Sequence, residues 1–76
     1  MKELLTHIVK ALVDNPDNVE IKEIKGEKST ILEVKVSESD RGKIIGKEGR
    51  IIRSIRTIVS SASAKFNKRS TVEIVE

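Results

Sequence analysis

The 76-residue chain has no cysteine, no tryptophan and no tyrosine, and only one phenylalanine, one proline and one histidine. Without cysteine, neither a disulfide nor thiolate-ligated zinc can brace the fold. A chain of this size buries only about 60% of its unfolded surface, so the core must be thin. Secondary structure and self-association are left to supply the remaining stability. Long apolar runs are also missing. Glu3, His7 and Lys10 interrupt the apolar start, Met1 to Val13. A membrane span needs about 20 apolar residues and a secretory signal an unbroken apolar stretch, so the expectation is a cytoplasmic protein with no membrane partner.

Acidic residues are scarce in one half. Residues 41–69 hold nine Lys or Arg against one acid, Glu48, for a net charge of +8, whereas the other residues carry a net −5. Charge polarised in this way on a small domain suits a polyanionic partner better than a merely solvated helix face.

Hydrophobic periodicity gives the elements. Met1, Leu4, Leu5, Ile8, Val9, Ala11 and Leu12 share one face of a helix over residues 1–14, which Pro16 brings to an end. Val19–Ile24 and Thr30–Val36 read as strands joined through the Lys25-Gly26-Glu27-Lys28 turn, and Thr71–Val75 alternates as a third. Between the second and third strands, Ser39 or Asp40 is expected to cap a short helix through Lys43-Ile44-Ile45. After Gly46 a longer helix is expected from Gly49 to about Phe66. Its buried stripe comprises Ile51, Ile52, Ile55, Ile58, Val59, Ala62 and Phe66.

The most informative stretch is Ile44-Ile45-Gly46-Lys47-Glu48-Gly49-Arg50-Ile51-Ile52-Arg53-Ser54-Ile55. Two glycines spanning a tight joint between helices permit unusual backbone angles and close approach of a ligand. The unpaired N–H groups and positive dipole end of the second helix point at that joint, a natural seat for phosphate. Lys47 adds a full charge there, and Arg50 and Arg53 extend it along the helix.

A bare GxxG is a weak signal, but the framing isoleucines and arginines resemble the KH-domain signature I-G-x-x-G-x-x-I-x-x-I. The element order α-β-β-α-α-β resembles a type II KH domain, an α+β fold in which three helices cover a three-stranded sheet. In size and N-terminal sequence the whole chain, residues 1–76 as one domain, resembles the KhpA family of small bacterial KH proteins.

That resemblance implies a groove for about four unpaired nucleotides of single-stranded RNA, with Gly46, Lys47, Glu48 and Gly49 clamping the backbone. Arg41, Lys43, Ile45, Arg50 and Arg53 are expected around the groove, and Thr30–Val36 is expected as its opposite wall. Lys65 to Ser70, including Lys68 and Arg69, matches the variable loop. Glu48 departs from the most basic versions of the signature by placing a carboxylate beside the phosphate. The implied role is RNA chaperone or post-transcriptional regulator.

Other chemistries fit poorly. Gly42 to Lys47 has three residues between its glycines and Glu48 after the lysine, so it is not a P-loop. His7 lies on a polar helix face without a partner, and no metal, cofactor or catalytic frame is expected. Base-stacking folds of the RRM and OB types need several exposed rings, whereas Phe66 is placed on the buried stripe. The competing reading is a protein-interaction adaptor of the same fold. It would form a homodimer or pair with a larger KH-containing protein of the Jag type, with Ile55, Ile58, Val59 and Ala62 as the interface.

Overall fold

The computed structural model describes residues 1–75. Helix α1 spans Lys2–Leu12, strands β1 and β2 span Glu20–Lys25 and Ser29–Lys35, and α2 spans Glu38–Ile45. Helix α3 follows over Arg50–Ala64 and β3 over Arg69–Ile74, with single 3-10 turns at Pro16–Asn18 and Lys47–Gly49. The α-β-β-α-α-β order is the expected one, and the three helices cover a three-stranded mixed sheet.

The sheet order is β1-β2-β3. Strands β1 and β2 form an antiparallel hairpin with Ile21 opposite Val34, closed by a Gly26 N–H to Ser29 carbonyl hydrogen bond of 2.7 Å. Strand β3 joins β2 in parallel, with Leu32 opposite Val72. Parallel neighbours need a crossover, and the α2–α3 pair supplies it. The two-residue period sends Ile21, Leu32, Val34 and Val72 inward, where they are buried. Ile24, Ile31 and Thr71 form a row on the opposite, exposed face.

Leu5 and Val9 of α1, Ile44 of α2, and Ile52, Ile55 and Val59 of α3 complete the core. The hydroxyl of buried Ser63 donates to Ser70 Oγ at 2.7 Å, so that polar group is satisfied. Arg56 Nε donates to the Val72 carbonyl at 3.1 Å and fastens α3 to β3.

The start of α2 differs from the expectation. Its N-cap is Ser37, and Asp40 lies inside the first turn with 1% of its surface exposed. The Asp40 carboxylate accepts from the Asp14 N–H at 3.1 Å, the Asn15 N–H at 2.9 Å, Asn15 Nδ2 at 3.0 Å and Ser37 Oγ at 2.9 Å. Burial alone would raise its pKa, but these hydrogen bonds outweigh that effect and hold it at about 2, below its ordinary 3.8. Asp40 thus ties the segment after α1 to α2.

Candidate nucleic-acid interface

At the Gly46–Gly49 joint the chain takes three positive φ angles: 75° at Gly46, 58° at Glu48 and 74° at Gly49. The two glycines are required for different reasons. A Cβ on Gly46 would lie 2.6 Å from Ile51 Cγ1 and 2.9 Å from Ile51 Cβ, so both the backbone angle and the packing demand glycine there. A Cβ on Gly49 would meet nothing closer than 3.9 Å, so only its angle matters. The joint is closed by the Gly49 N–H donating to the Gly46 carbonyl at 3.2 Å.

No side chain caps α3, whose N-cap is Gly49 itself. The Gly49 and Arg50 N–H groups turn back onto the Gly46 and Lys47 carbonyls, and the positive dipole end of α3 meets the loop with no side chain over it. Lys47 is exposed beside it, and Arg53 Nη1 comes within 3.9 Å of the position a Gly49 Cβ would take, bringing its guanidinium back to the loop. Arg50 Nη2 lies 3.8 Å from Glu48 Oε2, with both side chains well exposed. Such a pair contributes little, and the Glu48 carboxylate is turned along the helix toward Arg50. Ile45, 37% exposed, adds an apolar side chain at the end of α2.

The remaining sequence-predicted residues are dispersed. Lys43 lies about 160° around α2 from Ile45, at 100° per residue, and its ammonium is hydrogen-bonded to the Asp14 carboxylate. That hydrogen bond raises the Lys43 pKa. Lys43 thus bridges α2 to a partner 29 residues away at the α1–α2 junction, with its side chain half-exposed. Arg41 is half-buried, and its Nε is enclosed without a hydrogen-bond partner. Lys68 and Arg69 lie beyond the far end of α3; the 15 residues of that helix separate them from the clamp by about 22 Å. Strand β2 is the central strand, paired on both sides. The outer strand packed against α3 is β3.

Two further expectations are overturned by burial. Ile55 and Val59, at 2% and 0% exposure, belong to the protomer's own core and cannot face a partner. Of the four proposed interface residues only Ile58, 47% exposed, and half-buried Ala62 lie toward the surface. Phe66 is not on a buried stripe but 68% exposed, because α3 ends before it.

The chain leaves α3 through a Schellman motif. Asn67 takes φ 55°, its N–H donates to the Ala64 carbonyl at 3.1 Å, and the Lys68 N–H donates to the Ser63 carbonyl at 3.1 Å. The legible signal was Asn67, since asparagine tolerates left-handed backbone and commonly takes glycine's place at such caps.

Among the described residues, no group of three or more His, Cys, Asp or Glu could hold a metal ion, and no helix is long and apolar enough to cross a membrane.

Residues 2–74 match the family described as KhpA/KhpB, KH domain. The chain is 55% identical over 75 residues to a Clostridium acetobutylicum protein named RNA-binding protein KhpA, covering 99% of this chain and 100% of that one. Proteins of the same name from Caldanaerobacter subterraneus and Borreliella burgdorferi are 56% and 55% identical; the alignments cover 99% and 97% of this chain and 100% and 90% of theirs. A Chlamydia trachomatis protein, also named RNA-binding protein KhpA, is 49% identical over all 76 residues of this chain and 97% of its own length. With a uniquely glycine-dependent joint between two helices and a family match running nearly end to end, the chain belongs to the KhpA/KhpB KH-domain family.

Proposed function

We propose that this chain is one KH domain that binds single-stranded RNA in the cytoplasm, clamping the backbone at Gly46–Gly49 and serving as an RNA chaperone or post-transcriptional regulator. It acts by binding and not by catalysis. The observation that carries the reading is the loop itself: two glycines at positive φ, a helix start with no side-chain cap, and exposed Lys47 at the same point. An extended phosphodiester can approach such a loop closely, whereas a duplex cannot present its backbone and unpaired bases together.

The test is Lys47→Asp combined with Glu48→Asp. Aspartate tolerates the left-handed angle at position 48, so the fold should persist. Affinity for a short single-stranded RNA should fall by more than about tenfold, with thermal melting little changed. The wild-type slope of log affinity against log salt should be about −2 to −3, for three or four phosphates at roughly −0.7 each. Equal affinity of variant and wild type would remove the loop from the mechanism, and a preference for duplex would contradict the groove.

A partner is the second reading, favoured by Ile58, which is 47% exposed on α3 beside half-buried Ile51 and Ala62. A second copy of the chain, or a larger KH-containing protein of the Jag type, would cover it. Ile58→Lys should convert a dimer to monomer in sedimentation without loss of helical signal. A wild-type chain that stays monomeric at high concentration removes self-association.

A further inference from the structure

The clamp lies at one end of α3; the other end, which carries Lys68 and Arg69 of the expected variable loop, has a surface of its own. Phe66, the chain's one aromatic residue, is 68% exposed there, the most exposed of the large apolar side chains. It flanks a shallow concavity of about 540 Å³ shared with Met1, the Gly26–Ser29 turn and Lys68. The ring is not carried on a loose tip. The Phe66 N–H donates to the Ser63 carbonyl at 3.0 Å, the Schellman hydrogen bonds follow at once, and the Arg69 N–H donates to the Lys28 carbonyl at 3.2 Å. An aromatic side chain held in this way loses little freedom when something docks on it.

The surroundings are cationic. Lys28, Lys65, Lys68 and Arg69 make no ion pair among the described residues, and Lys25 is paired with Glu23 at 3.7 Å, which leaves Glu27 as the one unpaired acid of the rim. The exposed ring sits amid cations that have no acidic partner. It suits a polyanion whose units carry flat π faces, such as unpaired nucleobases. A path also joins the two sites, because no acidic residue occurs between Glu48 and Glu73 in the sequence. A strand leaving the clamp can follow α3 without meeting a carboxylate of that segment.

From these observations we infer that Phe66 is a base-stacking platform at the far end of α3, extending the footprint of a bound single strand about 22 Å beyond the Gly46–Gly49 clamp. The inference rests on the RNA-binding reading and deepens it. Lys28, Lys65, Lys68 and Arg69 supply phosphate contacts around the ring.

The experiment compares a single-stranded RNA of about four nucleotides, enough for the clamp alone, with one of about twelve. Phe66→Ala should weaken binding of the longer strand roughly 5- to 150-fold and leave the shorter one unaffected. Because the chain has no tryptophan or tyrosine, Phe66→Trp introduces a single fluorophore. Its emission should be quenched by the longer RNA and not by inorganic polyphosphate of matching length. Equal loss or no loss at both lengths, or unchanged emission at saturating RNA, overturns the platform. So does a Phe66→Ala variant that changes its sedimentation while keeping its RNA affinity, since the ring would then belong to a protein contact. Binding of the short strand, and its loss in the Lys47/Glu48 double variant, reports on the clamp independently; if the wild type binds neither strand, both readings fall together.

Discussion

Helix α2 is held at its start by Asp40 and released at its end through Gly46, and the two joints treat their main-chain groups in opposite ways. At the first, a buried carboxylate collects two backbone N–H groups, an amide and a hydroxyl. At the second, no side chain caps the helix that follows, and the turn is made by backbone angles that favour glycine. A joint whose donors are all engaged internally can only hold. One closed by backbone turns alone, with no side chain over the helix start, leaves room for a ligand, at the cost of strained backbone. Both occur within one short helix, so the rigid joint fixes the position from which the open one presents itself.

The largest effect on that contrast should come from Gly46→Ala. The left-handed angle and the overlap with Ile51 together should cost about 2–5 kcal/mol in urea unfolding. Adding Ile51→Ala removes the 2.6 Å contact with Cγ1 but neither the 2.9 Å contact with Cβ nor the angle, so, measured against Ile51→Ala alone, Gly46→Ala should cost less than in the wild type; an unchanged cost would mean that the Cγ1 contact is not the main term. Gly49→Ala should be milder, about 1–2 kcal/mol, because only the angle is violated there. Equal costs at the two glycines would erase the distinction drawn between them.

The smallest effect concerns the Asp40 joint and appears only in acid. Its folded pKa of about 2 lies below the ordinary 3.8, so its contribution to stability is present above about pH 4 and is lost as pH falls toward 2. Melting temperatures followed from pH 5 to about 2 should therefore fall more steeply for the wild type than for Asp40→Asn, which carries no titrating group at that position. Parallel curves would assign the acid response to other carboxylates.

What could be read from the sequence follows the same division. Burial imposes periods of 2 and 3.6, so the strands and helices emerged from the apolar pattern alone: Val19–Ile24 was expected where β1 is Glu20–Lys25. Helix ends depend on caps and on distant partners, and there the pattern failed. The α2 cap lies at Ser37 because Asp40 is recruited by Asp14 and Asn15, which no local window reveals. Phe66 falls near the apolar arc by angle, but α3 has ended by then and the sheet no longer covers that position. Ile58 marks the same limit sideways: it lies about 100° around α3 from buried Val59, at the edge of what one small sheet can shield. The glycines of the clamp were legible because their spacing is itself the signal. The left-handed Glu48 between them was not, since nothing in a glutamate announces that angle.

The hydrogen bond from Arg56 to the Val72 carbonyl bears on how the molecule behaves in a crowd. Strand β3 is a sheet edge, and an unpaired edge is a template on which a strand from another molecule can be added, copy upon copy. Arg56 occupies a carbonyl near the middle of that edge and lays a charged side chain across it. The same basic helix that suits a polyanion thus leaves this edge with one acceptor fewer to offer an added strand.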